Sequence, residues 1–218
     1  MKVGIGVITV ETRVARAGSL AQQLVNQGYN YAPVVNVDRE WRGPWWNFRF
    51  TCELLFGSGF THACILEDDV TLCKAFLTEL GRVVEVVPSD PLSLFTARAS
   101  IVREADKKGT KLLKRYDLDT AQGLVFPVFQ FQRLCNWIDQ HEVTHPDWKF
   151  HGDMRIAAWS KFKRWPIVHV VPSLVDHDVS LPSTLGHSGR TAQGWRVSPR
   201  FYDAHNSSCS LIEWGLPR

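Results

Sequence analysis

Cys64-Ile65-Leu66-Glu67-Asp68-Asp69-Val70 is the stretch on which the reading of this chain turns. An apolar run suited to a buried strand ends in three adjacent carboxylates and then resumes with an apolar residue. Neighbouring like charges repel, and an apolar strand gains nothing from them, so the triplet needs a compensating partner. A cation is the simplest one. Hard divalent ions take oxygen ligands, and carboxylates at the mouth of a sheet can hold Mg²⁺ or Mn²⁺ together with a substrate phosphate. The other reading is a strand that ends in a solvated acidic turn. The heptapeptide alone leaves both open.

Outward from the triplet, strand and helix signals alternate. Val3–Val10 is a β-branched apolar run. Ser19 is placed to cap a helix reaching about Asn26, with Gly28 ending it. Tyr31–Val37 returns to strand character and stops at Asp38. Beyond a Gly-Pro break, Trp45, Phe48, Cys52, Leu55 and Phe56 fall at helical spacing until Gly57 and Gly59. His62–Leu66 is the strand that carries the triplet, and Phe76 to Val87 trace another helix face before Pro88. This βαβαβα order predicts an α/β fold with a largely parallel sheet flanked by helices. Ligands of such sheets bind beyond the carboxyl ends of the strands. Thr9 to Arg13, Asp38, and Glu67 to Asp69 all follow strand ends, so three polar clusters should converge on one edge.

The second half is less regular. Leu92–Thr96 and Ala121–Phe126 read as strands, Val128–Ile138 as a helix, and Glu104–Lys114 as a charged loop or hairpin. His151-Gly152-Asp153 precedes a helix with Ile156, Ala157 and Trp159, and Ile167–Val171 is the last clear strand. From Ser173 onward the pattern predicts a long loop.

At 218 residues, 44% hydrophobic and 22% charged, the chain has the composition of a globular protein with a full core. A net charge of +3 suits an anionic small substrate and is too small to mark a nucleic-acid binder by itself. Its five cysteines show no paired spacing and no CxxC, which argues against a disulfide framework or a zinc site and favours a reducing compartment. No apolar run approaches the roughly 20 residues of a membrane span, and the amino terminus lacks the features of a signal peptide, so a cytoplasmic location is expected. Among nine tryptophans, those of the Trp41–Trp46 segment lie in polar company, where core packing and stacking on sugars or bases are both open.

Taken in order, these landmarks resemble the GT-A-fold glycosyltransferases, and among them small bacterial and phage relatives of the lipopolysaccharide-type enzymes. The resemblance is carried by the first strand running into Thr9, Thr12 and Arg13, by Ile65-Leu66-Glu67-Asp68-Asp69-Val70, and by Ala121-Gln122-Gly123-Leu124-Val125-Phe126-Pro127. His151-Gly152-Asp153-Met154-Arg155 and Val171-Pro172-Ser173-Leu174-Val175-Asp176-His177 complete it. It spans about Val3 to His187 and implies a domain over 1–187, followed by a tail, 188–218, that could act as a lid.

In such enzymes an Asp-x-Asp-type motif holds Mn²⁺ or Mg²⁺ against the diphosphate of a nucleotide-sugar. The resemblance therefore implies Asp69 as a direct ligand, Glu67 as a second, and His177 as a third. It implies Asp68 as a contact to ribose or donor sugar, and His187 as a weaker candidate closing over the pyrophosphate. Thr9, Thr12, Arg13, Asp38 and Asn47 would hold the nucleotide, and Gln122 and Gly123 would let donor sugar or acceptor approach the backbone. Asp153 would be the general base for the acceptor hydroxyl, while its place before a helix equally suits an N-cap. Arg190, Arg196 and Arg200 are candidates for clamping phosphate from the tail.

The expected activity is metal-dependent transfer from a nucleotide-sugar, most simply a UDP-sugar, to a saccharide or to a hydroxymethylpyrimidine in phage DNA. The basic Lys161-Phe162-Lys163-Arg164 would suit the DNA acceptor. Two other classes compete: a metal-dependent phosphotransferase or nuclease on the same acidic cluster, and a non-catalytic sugar-binding module.

Overall fold

The computed structural model describes residues 1–118, 120–145, 152–178, 180 and 197–202. The predicted alternation is present through the first half. β1 (Val3–Val10), β2 (Val34–Asp38) and β3 (His62–Glu67) are joined by α1 (Val14–Asn26) and α2 (Pro44–Gly57). β1 lies between its two neighbours and pairs with both in parallel. Its side chains alternate between two cores, as a strand buried on both faces requires. Ile5 and Val7 join one core with Leu20 and Leu24 of α1. Ile8 joins the other with Phe48, Cys52 and Leu55 of α2. Gly6 faces α2, where a Cβ would stand 2.3 Å from Thr51 Cγ2, so its bareness sets how closely helix and strand approach.

A short β4 (Val70–Leu72) follows the acidic triplet, and α3 (Phe76–Val86) packs on the α1 side. The chain continues through β5 (Leu92–Ser93), α4 (Ala99–Lys108), β6 (Leu112–Arg115), β7 (Gly123–Pro127), α5 (Val128–Thr144), α6 (Gly152–Lys163), β8 (Ile167–Val170) and β9 (Val175–His177). Seven strands form one mixed sheet in the order β2-β1-β3-β7-β5-β8-β6, while β4 and β9 make a separate two-stranded ribbon. β7 runs antiparallel to both β3 and β5. That direction brings the residues before β7 to the edge where β1, β2 and β3 end.

Four expectations change. Ser19 does not cap α1: the helix starts a turn earlier, and the Ser19 hydroxyl donates to the Ala15 carbonyl within it. The charged segment expected as a loop or hairpin is the end of α4 and the edge strand β6. Ile101, Val102 and Ala105 make one buried helix face on Leu113 and Val171, and Gly109 at φ 60° ends the helix. The strand expected over Leu92–Thr96 pairs only through Ser93. Beyond it the Leu94 N–H still donates to the Gly123 carbonyl of β7 at 2.9 Å, while its carbonyl turns to accept from Leu174 N–H at 2.9 Å. The long loop expected from Ser173 contains β9. The segment 197–202 also packs on the body, where Phe201 bridges to Ser173 and Tyr202 is buried. Among the described residues no helix is long and apolar enough to cross a membrane. The expected domain boundary at 187 and the candidate His187 lie outside the described residues.

Candidate functional site

The expected convergence is geometric fact. A cavity of about 430 Å³ opens at the carboxyl ends of β1, β2 and β3. Thr9, Arg13, Asp38, Asn47, Glu67, Asp68, Asp69, Gln122, Asp153 and His177 all line it. Thr12 and Gly123 do not. Thr12 is exposed on the 3-10 turn after β1. Gly123 is buried in β7, and a Cβ there would lie 2.9 Å from Val175 Cγ2, so the glycine serves strand packing rather than ligand approach.

The triplet splits into three environments. Glu67, the last residue of β3, is partly exposed on the cavity wall. Asp68 is 5% exposed and turns back toward β1, where it accepts from the Thr9 hydroxyl and, at 3.0 Å, from Arg13. Burial pushes its carboxyl above the ordinary value, with Thr9 and Arg13 opposing. Asp69 is also deeply set. Burial acts to raise its pKa, but His177 and Arg13 outweigh that and hold it below the ordinary carboxylate value.

His177 reaches Asp69 through the β4–β9 ribbon, in which Val70 pairs with His177 and Leu72 with Val175. Its Nε2 is 3.3 Å from Asp69 Oδ2, and Asp178 N–H donates to the Asp69 carbonyl at 2.7 Å. Arg16 of α1 ties Asp178 with a 2.9 Å ion pair and so closes the ribbon against the body. Neither Asp178 nor Arg16 stood out in sequence, because an acid next to a candidate ligand carries no pattern of its own. Met154 and Thr120 also line the wall. Their only sequence signal is adjacency to Asp153 and to the segment before β7.

Two candidates for the nucleotide are committed elsewhere. Asp38 accepts from Arg42 N–H at 2.9 Å and Gly43 N–H at 2.7 Å, which fixes the turn leading into α2. Asn47 donates to the Thr9 carbonyl at 3.0 Å and accepts from Asn36, tying α2 to β1 and β2. Both are buried, and both build the wall rather than point a spare polar atom into the cavity. Asp153 sits in the first turn of α6, where its Oδ1 accepts from Met154 N–H at 2.8 Å. Arg200 pairs with Asp106 of α4 at 2.5 Å and 2.8 Å, outside the cavity lining, while Arg190 and Arg196 lie outside the described residues.

Several buried atoms of the lining have no hydrogen-bond partner among the described residues: Asp69 Oδ1, His177 Nδ1, Gln122 Oε1 and Thr120 Oγ1. A buried polar atom left unpaired costs about 1–3 kcal/mol, and water or a polar ligand in the cavity would offset that cost. One guanidinium, Arg13, serves both Asp68 and Asp69. Ligands on adjacent corners of an octahedral ion with bonds of about 2.1 Å stand about 3 Å apart. The Asp69–His177 separation therefore fits two positions on one cation. Among the described residues no group of three His, Cys, Asp or Glu side chains gathers as a metal-holding cluster. The remaining positions would fall to water and to ligand oxygens, as is usual for Mg²⁺. No family model and no curated protein matches the chain, so the functional reading rests on this site.

Proposed function

We propose that this protein is a GT-A-type glycosyltransferase that takes a sugar from a nucleotide-sugar, with UDP the simplest carrier, using Mn²⁺ or Mg²⁺ at Asp69 and His177. The observation that carries the reading is the Asp69–His177 pair at 3.3 Å, held by the turn before β4 and the end of β9 beside unpaired polar atoms in a cavity at the sheet edge. Imidazole beside carboxylate favours Mn²⁺ over Mg²⁺. When bound, the ion neutralises charge on the departing diphosphate. The protein's residues do the rest. Arg13 holds Asp68 and Asp69 in place and, with His177, favours the ionised form of Asp69. The wall built by Asp38 and Asn47 shapes the cavity for the nucleoside. Asp153 takes the proton of the acceptor hydroxyl while that oxygen bonds to the anomeric carbon and the carbon–oxygen bond to the diphosphate breaks. The acceptor is a saccharide or a hydroxymethylpyrimidine.

The test is thermal denaturation with UDP and a panel of nucleotide-sugars, each with Mn²⁺ or with EDTA. A ligand at 100 times its Kd stabilises the folded state by about 2.7 kcal/mol. A metal-dependent rise in Tm is expected for at least one nucleotide. Absence of any shift, or a shift indifferent to EDTA, overturns the assignment.

A further inference from the structure

Trp41 is the anomaly of the cavity wall. The other described tryptophans have ring or cation neighbours. Trp45 stacks on Phe48, Trp46 stacks on Phe50 beneath Arg42, and Trp137 stacks on His141. Trp159 lies against Phe126, and Trp165 lies under Arg133. Trp41 has neither a ring nor a cation partner among the described residues, yet it lines the cavity and is 64% exposed. Its backbone sits at φ 54°, in the left-handed region that is costly for any L side chain and rare for a bulky one. A tryptophan that served packing would offset that cost with buried area, and this one buries little.

The conformation is imposed from below. Both oxygens of Asp38, which is 3% exposed, accept the N–H groups of Arg42 and Gly43, and Gly43 itself sits at φ 99°. The buried carboxylate thus holds the turn that presents the indole. The same turn leads into α2, whose Trp45 backbone lies against the first residue of α6: a Cβ on Gly152 would be 3.5 Å from Trp45 Cα. Asp153 and the 46% exposed Met154 follow directly on that helix and line the same cavity. Among the described residues Trp41 and Met154 are the exposed large apolar side chains of the lining, and Met154 adjoins the candidate base in the chain.

We propose that Trp41, together with Met154, is a stacking platform for the acceptor ring, holding the apolar face of a hydroxyl-bearing pyranose or pyrimidine so that its hydroxyl meets Asp153. Indole faces stack on flat rings without demanding a particular pattern of hydrogen bonds. The platform deepens the glycosyltransfer reading, since the word acceptor rests on it, but ring binding can be measured without turnover.

The probes are a set of methyl pyranosides and a short single-stranded oligonucleotide containing 5-hydroxymethylcytosine. Each is titrated by saturation-transfer NMR with and without UDP and Mn²⁺, and UDP affinity is measured separately. One probe class is expected to bind, and which one separates a saccharide from a nucleic-acid acceptor. Trp41→Ala should weaken that probe about tenfold or more, as loss of a stacking partner does, and leave UDP affinity unchanged. Trp41→Phe should retain most of the binding.

Trp41→Gly should lose the probe while raising Tm, because glycine adopts the positive φ without strain. Four results overturn the platform: neither class binds, Trp41→Ala binds like wild type, Trp41→Ala weakens UDP by the same factor, or Trp41→Gly lowers Tm. Ring binding without any UDP binding would remove the donor reading and leave the platform standing.

Discussion

Asp68 and Asp69 are adjacent carboxylates with opposite tasks, and the difference lies in what each touches. Asp68 spends its oxygens on Thr9 and Arg13 inside the body. Asp69 shares Arg13 but keeps one buried oxygen unpaired and the other against His177. Asp69→Asn is expected to abolish the Mn²⁺ dependence of nucleotide binding. Asp68→Asn should leave Arg13 without its closest carboxylate and cost roughly 3 kcal/mol of folding free energy. Calorimetric titration and urea denaturation separate the two, and equal behaviour of the variants would remove the distinction. Strand-end carboxylates were legible in the sequence because an acid on an apolar run breaks a pattern. The commitments of Asp38 and Asn47 were not, because a polar side chain's partners are chosen by tertiary approach.

Among the elements, those written in local signals were legible and those written in distant ones were not. β1 and β3 announce themselves as β-branched or apolar runs, and α2 by its Gly43-Pro44 start and its apolar spacing. α4 hides Ile101, Val102 and Ala105 among charges, so its buried face does not show in composition. β9 is three residues long and owes its existence to β4, far back in the chain. The seam between β1 and α2 depends on Gly6. Gly6→Ala would drive a methyl group into Thr51, a fully buried, β-branched helix residue. The expected cost is about 1–3 kcal/mol, read from the shift of the urea midpoint at unchanged m value. An unaltered midpoint would mean that α2 moves away freely.

For the whole molecule, acid should loosen the fold before the carboxylates titrate. His169 is buried in β8, its Nε2 meets the Asp117 carbonyl at 2.9 Å, and burial lowers its pKa. The unfolded chain therefore binds more protons in this range. The stability that His169 contributes is complete above about pH 6.5 and falls as pH drops below it. His62, also lowered by burial, acts in the same direction. His169→Gln can still donate to that carbonyl but cannot take up a proton, so its Tm should fall less than that of wild type between pH 7.5 and pH 5. Equal slopes would remove His169 from the account.

The β4–β9 ribbon carries a further consequence. It stands apart from the seven-stranded sheet and supplies both Asp69's neighbour and its histidine. Small units of this kind open at lower free energy than the core around them. The amides of Val70 to Leu72 and Val175 to His177 should then exchange with deuterium together, and faster than those of β1 and β3. A cation bound across the ribbon should slow that exchange selectively. Competence to bind would be gained last as the chain folds, once its late segment has returned to its early one, and lost first on heating. The site would then report on the completeness of the fold and not merely on its presence.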